Sequence, residues 1–223
     1  MDAIDCIKSR RSIRKFHPTK VPIEVLYAVL EAANMAPCAG GLQTWRFLVV
    51  EDEASKKVIA KAALKQDWIA TAPTIILMCS DPSQLEVEFG KRGREMYDMQ
   101  NISMAAENLM LAAWNFSVGS TFISSFTEAL LRKELKIPDS IHIHGLIPLG
   151  YPAEFPYGIN RADVEGLIFY ETWGGEIRKE LEAVSAIAHP ERVEMRIGDE
   201  IEKRVKKVVE KVKKKVKGKK GKT

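Results

Sequence analysis

Thr74-Ile75-Ile76-Leu77-Met78-Cys79 constrains this chain more than any other segment. A bounded apolar run of that length, rich in β-branched residues and without alternation, reads as a buried strand. The rest of the chain must therefore supply material to cover a sheet. It has the means, since 46% of its 223 residues are hydrophobic and 29% are charged, which excludes wholesale disorder. That length suits one domain of ordinary size or two small ones. No stretch approaches the roughly 18 apolar residues of a membrane span. The charged N-terminal residues Asp2, Asp5, Lys8, Arg10 and Arg11 precede no apolar signal region. Cys6, Cys38 and Cys79 are far apart and form no CxxC, so neither a disulfide framework nor a zinc framework is visible. A cytoplasmic setting is expected.

Around the central run the patterning alternates between helix and strand. Helices are expected over residues 2–9, from Pro22 to about Met35, and over 54–65, 97–115 and 127–135. Strands are expected over 46–50, 74–79, 120–123 and 141–149. Residues 80–95 are polar, with Pro82 and Gly90, and read as a loop and the start of a helix. The longest helix, 97–115, carries Ile102, Ala105, Ala106, Leu109, Met110, Ala112 and Ala113 at helical spacing. Neither GxGxxG nor GxxxxGK[ST] occurs, so the phosphate fingerprints of the dinucleotide and P-loop folds are missing. Charge is uneven. Residues 189–223 hold 14 Lys+Arg against 6 Asp+Glu, and the remainder is mildly acidic. Bulk charge therefore gives no reason to read the body as a nucleic-acid binder.

Three segments carry chemistry. Arg10-Arg11-Ser12-Ile13-Arg14 places three guanidinium groups and a hydroxyl within five residues. Such a set suits a phosphate, because guanidinium presents a planar fork of donors; the alternative is a solvated basic face. Pro37-Cys38-Ala39-Gly40-Gly41-Leu42-Gln43 joins two glycines to an amide that can both donate and accept. It suits the close approach of a flat heterocycle, or it is an ordinary turn. Pro148-Leu149-Gly150-Tyr151-Pro152 ends a strand, and Arg161 follows as a further phosphate ligand or a surface charge. His142-Ile143-His144 puts two imidazoles on one strand face, but no third ligand is visible by spacing, so no metal is expected.

Taken in order, these segments resemble the nitroreductase family. Ser9-Arg10-Arg11-Ser12-Ile13-Arg14-Lys15-Phe16 is similar to its N-terminal flavin-phosphate motif. Ala36 to Phe47 is similar to its second motif, Pro148 to Glu154 with Arg161 to its third, and Phe169-Tyr170-Glu171-Thr172-Trp173 to its ending. The resemblance covers about residues 1–175 and implies an α+β sandwich. Its central, mostly antiparallel sheet would be flanked by helices in a homodimer with FMN at the interface. Residues 176–223 would be a helical extension with a basic amphipathic tail. The implied activity is FMN-dependent transfer of hydride from NADH or NADPH to a small electron-poor acceptor, a nitroaromatic or a quinone. Flavin N5 would carry the chemistry, with no catalytic side chain and a ping-pong sequence. Other reactions of the same scaffold, such as dehalogenation or flavin breakdown, stay open, as does a flavin carrier.

The resemblance also implies residue roles. Arg10, Arg11, Ser12, Arg14 and Arg161 would hold the FMN phosphate and ribityl chain. Pro37, Cys38 and Ala39 would lie against the ring from the partner subunit, with Gln43 in the same motif. Gln66 would meet the pyrimidine edge, Ser124 and Ser125 would lie near N5, and Pro148, Leu149 and Gly150 would line the far side. Arg14 or Lys65 would place positive charge near N1 and C2=O. Cys38 stands where serine is common, Gly41 replaces a frequent asparagine, Thr44 a frequent proline, and Ser125 a frequent glycine. These departures bear on substrate preference. In the tail, Ile201, Val205, Val208, Val209, Val212 and Val216 form an apolar stripe among lysines. It would pack on the dimer or lie on an anionic surface such as a membrane or nucleic acid.

Overall fold

A computed structural model describes residues 1–158, 161–162, 164–176 and positions 203, 206, 207 and 210. The tail stripe at 201–216 falls outside the described residues, as does most of the extension from 176.

The Thr74 run is the middle of the sheet. Strands β1 (Trp45–Val50), β2 (Thr74–Ser80), β3 (Gly119–Ser120) and β4 (His142–Gly150) lie in the order β1-β2-β4-β3, and every pairing is antiparallel. Every residue of β2 is buried. Its alternate side chains enter two different cores, which is why the sequence shows no polar alternation. Ile76 and Met78 join Ile147, Leu149 and the helices α2 (Ile23–Asn34) and α5 (Asp98–Asn115). Ile75, Leu77 and Cys79 join α3 (Glu53–Ala62) and α6 (Glu128–Leu135) through Ile59, Ala62 and Leu131. The expected α+β sandwich is therefore the observed one.

Helix α5 is the spine of one layer. Its eighteen residues span about 27 Å at 1.5 Å per residue. Buried Ala105, Ala106 and Ala113 let it approach α2 and the sheet closely. Among the described residues no helix is long and apolar enough to cross a membrane.

Three expectations are revised. In residues 80–95 the helix begins earlier than expected and the loop is short. Helix α4 (Ser83–Arg92) kinks at Gly90 (φ 61°, ψ −150°) and runs through a π-turn, Gly93–Tyr97, into α5. Helix α3 stops at Ala62 instead of 65, because Leu64 and Lys65 both adopt left-handed backbone angles. The strand expected at 120–123 is two residues, 119–120, followed by a lone bridge from Ile123 to Leu146. Between them the Phe122 ring fills the space over Gly145, where a Cβ would sit 2.4 Å from it.

Candidate functional site

The arginine segment begins where α1 (Ala3–Ser9) ends. Trp114 of α5 donates its indole N–H to Ser9 Oγ at 2.9 Å, which anchors the helix end. From there the chain runs extended along the outer edge of the sheet. Ser12 pairs with Ser120 in parallel, and Ile13 N–H donates to the Ser120 carbonyl at 3.0 Å. Thr121 Oγ1 donates to the Ile13 carbonyl at 2.8 Å. Further on, His17 N–H donates to the Tyr151 carbonyl and Ala153 N–H to that of Lys15, at 2.8 and 2.9 Å. Arg14 N–H donates to Glu154 Oε1 at 2.9 Å. The structure thus brings residues 10–17, 119–121 and 150–154 together, although they lie far apart in sequence.

Two polar atoms in this strap are buried without a hydrogen-bond partner, Arg10 Nε and Ser120 Oγ. Arg10 Nε has Glu107 Oε1 at 3.7 Å, an ion pair too long to be a hydrogen bond. Buried donors in folded proteins are nearly always satisfied. Arg11 turns one terminal nitrogen back to the Lys8 and Arg10 carbonyls, and the Arg14 side chain is exposed.

The glycine loop is built differently. Gly40 and Gly41 take φ of 59° and 72°, the left-handed region where glycine carries no Cβ penalty. One buried side chain bonds the middle of the loop at two points, while Arg46 Nη1 donates to the Gln43 carbonyl at 3.4 Å. Asn101 of α5, fully buried, accepts from Ala39 N–H at 2.9 Å and donates to the Leu42 carbonyl at 3.1 Å. Cys38 and Ala39 are half-buried, while Pro37 and Gln43 are exposed. Asn101 was not singled out from sequence. Its only signal was an amide on the apolar face of the longest helix.

Within one subunit these two parts stand apart. Asn101 holds the loop near the start of α5, and Trp114 holds the arginine segment near its end, about 20 Å along the axis. The remaining positions fall between or around them. Gln66 follows the two left-handed residues and donates from Nε2 to the Ala63 carbonyl at 3.0 Å. Ser124 and Ser125 are exposed, and Thr127 N–H donates to the Ala62 carbonyl, so this segment shares a corner with Lys65 and Gln66. Pro148, Leu149 and Gly150 are buried, and Gly150 lies so close to Pro73 and Phe16 that a Cβ would clash at 2.6 Å. Arg161 is exposed and makes no hydrogen bond or ion pair with the 10–14 cluster among the described residues.

A family model described as the nitroreductase family matches residues 7–66 and 56–151, which include the strap, the loop and all four strands. The chain belongs to the nitroreductase family. It is accordingly an oxidoreductase. A protein of Archaeoglobus fulgidus, provisionally named NADH dehydrogenase/NAD(P)H nitroreductase, is 33% identical over 159 residues, 67% of this chain and 87% of that one. An NADH dehydrogenase of Thermus thermophilus is 27% identical over 197 residues, 76% and 96% of the two chains. The solved structure of an FMN-dependent nitroreductase from Clostridium difficile superposes with a TM-score of 0.66 at 27% identity, covering 76% of this chain and 99% of that one.

Proposed function

We propose that this member of the nitroreductase family is an FMN-dependent, ping-pong oxidoreductase. It would take hydride from NADH or NADPH and reduce a small electron-poor acceptor such as a nitroaromatic or a quinone. The observation that carries this reading is the pair of buried, unpartnered groups, Arg10 Nε and Ser120 Oγ, where the arginine motif meets the sheet. Each is costly to bury unmet, by about 1–3 kcal/mol. A phosphate gives them an acceptor, and Arg11, Ser12, Arg14 and Arg161 are the other side chains of the motif that would hold it. The residues present therefore fit FMN.

The separation of loop and strap along α5 supports a second part of the proposal. A ligand of FMN's size held by the strap of one chain would meet the loop of a second copy, so a homodimer completes each site. Bound FMN would supply the two-electron redox chemistry between the nicotinamide and the acceptor. The chain's residues bind and orient. The strap would fix the phosphate end through backbone bonds, with Arg10 Nε and Ser120 Oγ left to hydrogen-bond the ligand. Asn101 sets the loop backbone so that Pro37, Cys38 and Ala39 form one wall. Gln66, Ser124 and Ser125 gather at one corner, where exposed hydroxyls and amides reach the polar edge of a flat ring. Lys65 places a cation at that corner.

The visible spectrum of the purified full chain tests this, recorded anaerobically before and after NADH or NADPH. A yellow protein bleached by one nucleotide and recoloured by a quinone supports the reading. Arg10→Ala should weaken FMN binding by about tenfold or more, as loss of a charge-assisted bond would. A colourless protein that takes up no added FMN would overturn it. A flavin that neither nucleotide reduces would make the chain a carrier.

A further inference from the structure

His142-Ile143-His144 lies outside the proposed flavin chemistry, at the far end of β4 from Gly150. A two-residue spacing puts both imidazoles on one strand face, and the backbone decides which face. Leu146 enters the core on the α3 and α6 side. In regular register His142 and His144 would point to that same α3 and α6 side. They do not, because the β2–β4 ladder slips at Met78/Cys79. Gly145 lies opposite Met78, Ile143 opposite Cys79 and His142 opposite Ser80, so His144 is the extra residue of a bulge. A bulge re-aims side chains. Ile143 now enters the α3 and α6 core, and both histidines turn toward α5.

There they meet Asp98, the first residue of α5, whose carboxylate is fully buried. His142 Nδ1 is 3.1 Å and His144 Nε2 is 3.3 Å from Asp98 Oδ2, and Ser80 Oγ is 2.6 Å from the same oxygen. Ser80 Oγ also lies 2.7 Å from His144 Nε2. Three groups therefore crowd one carboxylate oxygen, while its equally buried twin, Oδ1, has no partner. Burial opposes ionisation of Asp98, but Thr44 Oγ1, buried in the same corner, lies close enough to the carboxylate to help His144 and Ser80 hold its pKa below the usual range, although neither Oγ1 nor Asp98 Oδ1 makes a hydrogen bond of good geometry. Hydrogen bonds to Ser80 and His142 satisfy Oδ2, which leaves His144 Nε2 3.3 Å from the same oxygen as a third nitrogen or oxygen atom facing it. A hydrolytic Ser-His-Asp relay fails on geometry. Serine and aspartate both address Nε2 of His144, and Ser80 is fully buried.

A cation satisfies the arrangement. We infer that Asp98, His142 and His144 form a binding site for a divalent first-row transition ion, Zn²⁺ foremost, joining the first turn of α5 to β4. Imidazole nitrogen and carboxylate oxygen bind Zn²⁺ at about 2.0–2.2 Å in a tetrahedron, which holds the ligand atoms roughly 3.3 Å apart. The two N···O separations already have that value, and all three ligand atoms lie within 4.8 Å of one another. The ligand set is the nitrogen and oxygen type that suits zinc and its neighbours rather than Ca²⁺ or Mg²⁺. His142 is partly exposed, which gives the ion a way in, and water completes the fourth position while Ser80 stays hydrogen-bonded to Asp98. Asp81, electrostatically coupled to Asp98, adds negative charge to the corner. The consequence is mechanical. Asn101 stands one turn beyond Asp98, so a bound ion would stiffen the helix end that carries the 37–43 loop. This inference does not depend on what the loop binds.

The test is equilibrium dialysis and calorimetry of the untagged full chain, stripped with a chelator and titrated with Zn²⁺. One ion per chain is expected, with a rise in thermal midpoint on loading. His142→Ala and His144→Ala should each lower affinity by more than the roughly tenfold that loss of even an outer partner costs. His17→Ala, at a half-buried strap position beyond the opposite end of β4, should leave zinc affinity unchanged. His142 is partly exposed, so that variant folds even if changes at buried Asp98 do not. Absence of stoichiometric Zn²⁺ uptake, or uptake that both β4 histidine variants leave intact, overturns the site.

Discussion

The strap at residues 10–17 and the loop at 37–43 both carry family motifs, yet they are held in opposite ways. The strap is tied by many separate bonds, most of them backbone, to β3, to the turn after it and to the segment following β4. The loop has its own turn bonds and is tied to the helix layer mainly by the two amide atoms of Asn101. Glycines show the same contrast. Gly119, beneath the strap, has no room for a side chain, since a Cβ would lie 2.7 Å from Ile13, whereas Gly41 faces open space. A many-bonded region resists any single change, and a region hung on one residue follows that residue. The proposed phosphate end is thus rigid, and the proposed ring wall can adjust.

The largest effect should come from Asn101→Ala. It removes both loop bonds and leaves Ala39 N–H and the Leu42 carbonyl without their partner. We expect a loss of about 2–3 kcal/mol in denaturant unfolding and weaker flavin retention, with the strap unaffected by hydrogen exchange. A loss below about 0.5 kcal/mol, the level of an ordinary surface change, would mean that the loop has other support and would break the comparison.

Gly119→Ala and Gly41→Ala form the next pair. At Gly119 the new methyl must push the Ile13 side chain, which is fully buried, for a cost of about 1–3 kcal/mol from overpacking. At Gly41 the methyl meets nothing, and only the left-handed backbone (φ 72°) is penalised, by about 1 kcal/mol. Thermal midpoints of the two variants check the order. Equal costs would show that the loop is packed as tightly as the strap.

Legibility in the sequence follows the same division. The strap motif was readable because its arginines and serine are consecutive, so local order carried the signal. The double core around β2 was readable as an unbroken apolar run, and α5 as a long repeat of small residues. Asn101 was not, because its partners lie 59 and 62 residues away and nothing local marks an amide as a clamp. Asp98 was missed for the same reason, since it approaches His142 across 44 residues. The bulge at His144 was invisible because a register slip leaves the two-residue period of each strand segment intact. Arg161 and Gln43 matched motif positions, but in a single chain both are exposed. Any role they have in the proposed site would depend on a second copy or on the ligand.

The smallest effect concerns rates rather than stability, and it sharpens the comparison because it needs no mutation. Cys38 lies on the loop, half-buried, while Cys6 is buried in α1 and Cys79 in β2. Burial pushes the Cys79 thiol up to about 11, the Arg132 charge only partly offsetting it. At pH 8 a thiol of that pKa is ionised to about one part in a thousand, and the thiolate is the reactive form. Alkylation of the native protein followed by mass spectrometry should therefore modify Cys38 first. Its rate is governed by small openings of a loop on one clamp. Cys6 and Cys79 should react only as the whole structure opens, and Cys79 should accelerate as pH rises toward 11. Adding FMN should slow Cys38 alone if the loop closes over the flavin, and leave the other two unchanged. Equal rates at Cys38 and Cys6 would place strap and loop in one cooperative unit, and the contrast between them would then be one of geometry without a difference in local stability.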